Sequence, residues 1–153
     1  MAIKIRKAET GDLKTLARFE QELIRAERPM DPTIKPDPVT YYDLQELISN
    51  PEVHFLVAEI DNKVIACGYA RPKPARPYLD HTDYAYLGFM YTDPEYRGKG
   101  INKLLMGHLE HWAGKQGLNE LRLTVYTENY PAIRAYEKAG FAKHLIEMRY
   151  RRE

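Results

Sequence analysis

The stretch from Tyr86 to Lys103, YLGFMYTDPEYRGKGINK, places the strongest constraint on how this chain can fold. Its first residues are mostly aromatic or apolar, which is typical of a β-strand, and residues 92–94 end that strand. Gly98 and Gly100 then predict a turn, and a helical period begins at Ile101. Such an arrangement directs free backbone N–H groups and the positive end of the helix dipole at one point. The stretch therefore predicts a site for an anion.

Arg97 and Lys99 add positive charge to this turn, so we expect a phosphate-bearing ligand. A Walker A loop requires a Gly-Lys pair followed by Ser or Thr, and the chain has none. A dinucleotide-binding fingerprint requires a third glycine where this chain has Lys103. Neither of these nucleotide-binding motifs is satisfied.

Length and composition indicate one globular domain, residues 1–153. The net charge of +1 creates no strong field, so we expect neither nucleic acid nor a membrane surface as a partner. The single cysteine, Cys67, excludes an intrachain disulfide and fits a reducing, cytoplasmic location. The charged N-terminus predicts no signal peptide, and no apolar run approaches the roughly 20 residues of a membrane span.

Periodicity and turn residues predict alternating helices and strands. Strands are predicted at 3–6, 53–60, 64–70, 84–91, 121–126 and 141–150, helices at about 10–27, 40–48, 101–115 and 131–139, and Pro-rich loops at 28–38 and 71–83. Thr10 is the predicted N-cap of the first helix, and Thr40 or a neighbouring residue that of the second. Residues 61–63 predict a tight hairpin turn.

Two segments resemble motifs of the GNAT family, the general N-acetyltransferases. Residues 97–102 read RGKGIN and resemble motif A, [QR]-x-x-G-x-[GA], with Asn102 departing from Gly or Ala. Residues 129–141 resemble the family's N-x-x-A-x-x-x-Y-x-x-x-G-F segment at every fixed position. The predicted order of helices and strands is also the family's order, so the resemblance covers nearly the whole chain.

The resemblance implies an α/β (α+β) fold: one domain with a central mixed, mostly antiparallel sheet, a splayed strand pair and about four helices. It also implies acetyl-CoA as cosubstrate, with its pantetheine arm in the gap between the splayed strands. By position, Phe89, Met90 and Tyr91 supply the backbone that pairs with this arm, and an N–H near Met90 stabilises the oxyanion. The same comparison assigns Arg97, Gly98, Lys99, Gly100, Ile101 and Asn102 to the pyrophosphate, Asn129 to the pantetheine, and Tyr136 to general-acid catalysis at the sulfur.

The general base does not carry over from the family. The two positions where its members place a catalytic glutamate are Tyr84 and Thr124 in this chain. A water chain held by Tyr84 and Tyr86 is one alternative. The other candidates are Asp83, Glu128, Glu27 and Asp31.

The resemblance predicts transfer of the acetyl group to a primary amine of a small molecule or peptide by direct attack. The alternatives are a noncatalytic module that senses CoA or a peptide, and a nucleotide-binding α/β domain. The two Pro-rich loops that would face the acceptor carry mixed charge, which does not favour a polyamine. We expect no metal site, because His108 and His111 lack further ligands, and a homodimer is compatible with these features.

Overall fold

The computed structural model describes residues 2–153 and has a five-stranded sheet at its centre. The strands are β1 (Lys4–Lys7), β2 (His54–Ile60), β3 (Lys63–Pro74), β4 (Asp83–Thr92) and β5 (Leu121–Arg122). The helices are α1 (Leu13–Glu27), α2 (Leu44–Ser49), α3 (Ile101–Lys115) and α4 (Tyr130–Lys138). The strands lie in the order β1-β2-β3-β4-β5, antiparallel except for the parallel pair β4 and β5. The predicted mixed sheet with four helices is confirmed.

Alternating side chains of the central strands bury two apolar faces. One face packs against α1 and α2, and its core includes Leu16, Phe19, Leu47, Val57 and Phe89. The opposite face packs against α3, and its core includes Ile65, Leu87, Ile101, Leu105 and Leu109. Both faces of the sheet are covered, so β4 runs through the interior between two helical layers.

A β-bulge interrupts β4 opposite Gly68. Cys67 pairs with Tyr91 and Tyr69 pairs with Gly88, so two residues of β4 oppose one of β3. Phe89, within the bulge, has a φ of 49°. The extra residue keeps Phe89 and Tyr91 on the α1 face, whereas unbroken alternation would move them to the other side.

The strands β4 and β5 separate after a short contact. They pair only at Ala85 with Leu121 and at Tyr86 with Arg122, while β4 continues to Thr92. This geometry confirms the predicted splayed pair. The predicted strand 121–126 is shorter, because its later residues have diverged from β4 and pair with no other strand among residues 2–153.

The second Pro-rich loop is shorter than predicted, since residues 71–74 belong to β3. Pro72 pairs with Ala85 and Pro74 with Asp83. The pairing of β3 with β2 stops at Ala70, opposite His54, so residues 71–74 of β3 have a partner strand on one side only. A strand with one open edge accommodates proline, which lacks the N–H that a second neighbour would need.

Both predicted helix caps were wrong. Thr10 lies in a 3₁₀ turn, Thr10–Asp12, that precedes α1. α2 is capped by the side chain of Asp43, which accepts from the N–H of Glu46. Tyr41 therefore lies before the helix.

The predicted strand 141–150 was also wrong, because this segment has no regular structure. Four of its apolar side chains are 83–90% exposed: Leu145, Ile146, Met148 and Tyr150. An alternating pattern forms a strand only where an edge is available to pair with it.

Candidate functional site

The N-terminus of α3 presents unpaired backbone donors to open space. Gly100 is the N-cap residue with a φ of 78°, and no side chain caps the helix. Gly98 has a φ of 77°, and a Cβ at either glycine would meet nothing within 4 Å. The left-handed backbone, rather than crowding, therefore requires glycine here. The free N–H groups and the helix dipole point to the place where the sequence predicts an anion site, which stays a prediction.

The basic residues of the turn lie beside this helix end. Arg97 Nε donates to the carbonyl of Thr92 at 3.0 Å, which fixes the side chain at the end of β4. Lys99 Nζ lies 5.4 Å from the ring centre of Tyr96. The side chain of Ile101 is buried in the core, so that residue offers only its backbone to a ligand.

The bulge of β4 borders the gap between the splayed strands. A Cβ on Gly68 would lie 2.4 Å from the sulfur of Met90, so the Met90 side chain occupies the space above that glycine. The thiol of Cys67 donates to the carbonyl of Phe89 at 3.4 Å. A bulge leaves backbone groups outside the regular ladder, which makes them available to a ligand.

The start of α4 lies on the other side of the gap. Asn129 is its N-cap residue, and the side-chain oxygen accepts from the N–H of Ala132 at 3.4 Å. This bond commits the oxygen to the helix and leaves the amide NH₂ group for other contacts.

Tyr136, on the same helix, packs its ring against Phe141 at 5.9 Å. Burial, followed by the charges of Glu27 and Tyr86, raises the pKa of Tyr136 to about 12. The hydroxyl is therefore protonated at neutral pH and can donate a proton.

Glu27, the last residue of α1, is the half-buried carboxylate nearest to these tyrosines. Burial raises its pKa, and the neighbouring Tyr41 hydroxyl partly opposes that shift. The charge of Glu27 in turn raises the pKa values of Tyr41, Tyr42, Tyr126 and Tyr136. Several phenols thus lie within electrostatic range of one carboxylate whose pKa is raised toward neutral pH.

The Tyr41 hydroxyl is buried, and within residues 2–153 no partner meets hydrogen-bond geometry, although it lies near enough to Glu27 to affect the pKa of that carboxylate. Its backbone is nevertheless fixed. Glu20, which is 2% exposed, accepts from the N–H groups of Tyr41 and Tyr42 at 2.8 and 2.7 Å. A buried carboxylate on α1 therefore positions the segment that carries these two tyrosines.

Asp31 has the opposite environment from Glu27. The Thr33 hydroxyl and N–H, followed by Arg149, hold the pKa of Asp31 well below its usual range, and Tyr126 adds a fourth hydrogen bond. Arg149 forms an ion pair with it at 3.1 Å. A carboxylate this strongly stabilised in its charged form accepts a proton poorly.

The two strand tyrosines lie on the part of β4 where the gap closes. The Tyr86 hydroxyl is 3.4 Å from Oγ1 of Thr124, across the gap, and Lys73 Nζ lies 3.8 Å from its ring centre. The ring of Tyr84 lies under Arg122, whose guanidinium carbon is 3.9 Å from the ring centre. Tyr86 faces the opening, whereas Tyr84 packs beside it.

The remaining candidate bases, Asp83 and Glu128, are exposed. Their side chains make no hydrogen bond or ion pair within the described part of the chain. Of the carboxylates considered from sequence, only Glu27 combines partial burial with a raised pKa. Sequence reasoning missed the role of Glu20. The signal was available, because Glu20 and Glu27 lie four and eleven residues after Leu16, on its buried helix face.

Over residues 2–153, no three His, Cys, Asp or Glu side chains gather as metal ligands. In the same range, no helix combines the length and apolarity needed to cross a bilayer.

Comparisons with known proteins identify the family. A thialysine N-epsilon-acetyltransferase from Sus scrofa is 28% identical over 161 residues, covering 95% of this chain and 87% of that protein. A streptothricin acetyltransferase from Streptomyces lavendulae is 47% identical over 49 residues, but the match spans only 32% of this chain and 26% of that protein.

A predicted acetyltransferase from Clostridium acetobutylicum, crystallised with acetyl-CoA, superposes with a TM-score of 0.74 at 22% identity. The superposition covers 97% of this chain and 96% of that one, and it shows the shared fold. Residues 18–141 match the model of the acetyltransferase (GNAT) family. The resemblance read from the two motifs is confirmed: the chain belongs to the GNAT family of acetyltransferases.

Proposed function

We propose that residues 1–153 act as one N-acetyltransferase domain that moves the acetyl group of acetyl-CoA to a primary amine. One observation carries the catalytic proposal. Glu27 has a raised pKa, and its charge contributes to raising the pKa of Tyr136 to about 12. A carboxylate with a raised pKa is suited to accept a proton, and a protonated phenol is suited to donate one, in the same reaction.

Acetyl-CoA is the proposed cosubstrate. Its pyrophosphate would bind the free N–H groups of residues 98–102, with Arg97 and Lys99 beside them. Its pantetheine would lie along residues 89–91, on the side of β4 that β5 has left, as an added strand does. The free amide of Asn129 would contact the arm from the opposite side. The Clostridium acetobutylicum relative, crystallised with acetyl-CoA, supports this choice of ligand.

The chemistry then follows from the positions of the side chains. The amine loses its proton to Glu27, through water held at the Tyr86 hydroxyl, and its nitrogen forms a bond to the thioester carbon. The N–H near Met90 stabilises the oxyanion. As the carbon–sulfur bond breaks, Tyr136 donates a proton to the sulfur and the nitrogen releases its second proton to solvent, so the products are the amide and CoA. Glu27 then returns the first proton to solvent. Tyr136 regains its proton from solvent.

The acceptor side favours a substrate that presents a single amine. Several phenols lie within electrostatic range of Glu27, and Asp31 is already paired with Arg149. Aromatic rings and a single carboxylate suit an alkylammonium group. The Sus scrofa relative is named for thialysine, so the side-chain amine of a lysine-like amino acid is the first candidate class.

The test measures the release of CoA from acetyl-CoA with a reagent that detects its free thiol. The amines to be compared are lysine-like amino acids, aminoglycosides, polyamines and peptides with a free N-terminus. We expect turnover with at least one amine, and mass spectrometry of that product should show one added acetyl group. Tight acetyl-CoA binding by calorimetry with no turnover across the panel would favour a noncatalytic sensor.

A further inference from the structure

The side chain of Tyr69 lies across β4 at a glycine. Tyr69, on β3, is the register partner of Gly88. A Cβ on Gly88 would overlap both Cζ and the hydroxyl oxygen of Tyr69, so the end of the phenol ring fills the space where a side chain would be. Neighbouring strands lie about 4.8 Å apart, and a tyrosine side chain spans that distance. The Tyr69 hydroxyl therefore reaches the strand that borders the gap.

This contact explains why position 88 is a glycine. Gly88 is not among the residues with a positive φ, unlike Gly98 and Gly100, so its backbone conformation is open to residues with a side chain. What excludes a side chain is the Tyr69 ring that covers it. The two residues thus depend on each other, and we call them the Tyr69–Gly88 pair.

Aromatic neighbours hold the ring of Tyr69 in place. Tyr42 and Phe55 contact it edge-on, with ring centres 6.1 and 6.2 Å from its own. The whole residue is 6% exposed. Burial raises the pKa of Tyr69 to about 12, so the hydroxyl keeps its proton at neutral pH. The end of this side chain is therefore a rigid, uncharged group.

The hydroxyl of this buried ring opens toward the gap. Within residues 2–153 it has no hydrogen-bond partner, whereas the hydroxyls of Tyr86 and Tyr126 each have one. In that range the buried side-chain polar atom that lacks both a partner and contact with solvent is the hydroxyl of Tyr41. The Tyr69 hydroxyl therefore retains contact with solvent, and Gly88 beneath it is itself partly exposed.

The same hydroxyl lies where the acyl end of the proposed cosubstrate would arrive, and this step rests on the proposed function. β5 pairs with β4 only at Ala85 and Tyr86, so Gly88 lies just past the point where the gap opens. The predicted anion site follows the C-terminal end of β4, so an arm that starts there and lies along residues 89–91 runs toward Gly88. Its acyl group would end beside the Tyr69 hydroxyl.

We propose that the Tyr69–Gly88 pair sets the length of the acyl group that the protein accepts. The bare backbone of Gly88 leaves room for the methyl of an acetyl group, and the end of the phenol ring closes the space behind it. A propionyl or butyryl chain would meet the hydroxyl oxygen, which cannot retreat because Tyr42 and Phe55 hold the ring. Tyr69 is thus a specificity-determining residue for the acyl donor.

Binding of CoA thioesters tests the proposal without an acceptor amine. Isothermal titration calorimetry should compare CoA, acetyl-CoA, propionyl-CoA and butyryl-CoA. In the parent we expect both longer thioesters to bind at least about 10-fold more weakly than acetyl-CoA, the usual cost of a methylene group for which a pocket has no room. CoA gives the part of the affinity that does not depend on the acyl group.

Two substitutions should relax the limit in steps. Tyr69→Phe keeps the ring and removes one oxygen, which has about the size of a methylene group. Propionyl-CoA should then bind within about 3-fold of acetyl-CoA, while butyryl-CoA stays excluded. Tyr69→Leu shortens the side chain further and should admit butyryl-CoA as well. The affinity for CoA itself should change by less than about 3-fold in either variant.

Val57→Ala is the matched control. Val57 is fully buried in the same core, but it lies on β2, with β3 and β4 between it and the gap. The substitution should lower thermal stability and leave the order of acyl-CoA affinities unchanged. A shift in acyl preference equal to that of Tyr69→Phe would reduce Tyr69 to a packing residue.

The outcomes distinguish this proposal from the proposed function. If the parent binds longer thioesters as tightly as acetyl-CoA, or if neither Tyr69 variant alters the preference, the role of Tyr69 is overturned even where amines are acetylated. An altered preference without turnover of any amine supports the role of Tyr69 and counts against the acetyltransferase proposal. Absence of CoA binding overturns both.

Gly88→Ala tests the contact itself. In the parent it should lower the melting temperature, because the new methyl group overlaps the Tyr69 ring. In the Tyr69→Leu background the overlap is gone, so the same substitution should cost little, and the two changes should be non-additive. An equal loss of stability in both backgrounds would mean that glycine is needed at position 88 for another reason, which contradicts the Tyr69–Gly88 pair.

Discussion

The cofactor side and the acceptor side of the candidate site are built in different ways. The cofactor side is one continuous stretch, from the bulge in β4 to the start of α3, and its donors belong to the backbone. The acceptor side collects side chains from the end of α1, the segment before α2, residue 126 and α4.

The difference separates binding from chemistry. The positions of the backbone N–H groups at Gly98 and Gly100 depend on local φ values, so a substitution elsewhere in the fold leaves them in place. Glu27 and Tyr136 come within electrostatic range of each other only when α1 and α4 are correctly packed against the sheet. Changes on the acceptor side should therefore alter turnover, and changes on the cofactor side should alter acetyl-CoA affinity.

The largest expected effect comes from Glu27→Gln, which removes the proposed base. We expect kcat to fall by about 10²–10⁴-fold, while the acetyl-CoA Kd from calorimetry is unchanged. In the parent, activity should be lost as pH falls through the raised pKa of Glu27, because the base becomes protonated.

The same variant should lose activity but gain thermal stability at neutral pH. Because the pKa of Glu27 is raised in the folded state, ionising this carboxylate opposes folding. The cost is absent when the pH lies below the pKa of the unfolded state and complete when it lies above the pKa of the folded state. Glu27→Gln should therefore unfold at a higher temperature at neutral pH, whereas Glu128→Gln, at an exposed site, should change neither property. Full activity in Glu27→Gln would show that Glu27 is not the base and would favour ordered water in that role.

Tyr136→Phe should give the next largest effect. It keeps the ring packed on Phe141 and removes only the hydroxyl. We expect kcat to fall by about 10²-fold, at the lower end for a general acid, with acetyl-CoA affinity unchanged. Single-turnover kinetics should be used, so that slow product release does not hide the loss. An unchanged chemical rate would reduce Tyr136 to a packing residue.

Glu20→Ala should disturb the acceptor side without touching the reacting atoms. It removes the acceptor of two buried N–H groups, at Tyr41 and Tyr42, which should lower the free energy of unfolding by about 2–5 kcal/mol. The acceptor KM should rise more than the acetyl-CoA KM, because the tyrosine wall loosens. Urea denaturation and steady-state kinetics measure the two effects, and an equal rise in both KM values would contradict the separation of the two sides.

The smallest expected effect is a matched pair of glycine substitutions in and before α3. Gly100→Ala should cost about 1–2 kcal/mol of stability, because its φ of 78° disfavours a side chain, and it should weaken acetyl-CoA binding. Gly114→Ala lies inside the helix, with open space around its Cβ, and should stabilise the protein by about 0.5–1 kcal/mol. The same sign of change in stability for both variants would contradict the left-handed assignment at Gly100.

Several features of the fold and site could be predicted because the signals are local. The Gly-rich turn, the bounds of α3 and the β2–β3 hairpin depend on residues next to one another in sequence. Family motifs added the splayed strands and the expected position of Tyr136. The caps at Thr10 and Thr40 failed because competing bonds from Asp12 and Glu20 fix those segments instead.

The sequence by itself determined the Gly-rich turn before α3, since positive φ at Gly98 and Gly100 and the start of a helix are properties of a few adjacent residues. It left Glu27 as one of several equivalent carboxylates. Only the tertiary structure distinguished them, because a pKa depends on burial and on distant neighbours: Tyr41 beside Glu27, and Arg149 beside Asp31. The same reason explains the segment 141–150, whose strand pattern was legible but whose pairing depends on an edge that the pattern does not contain.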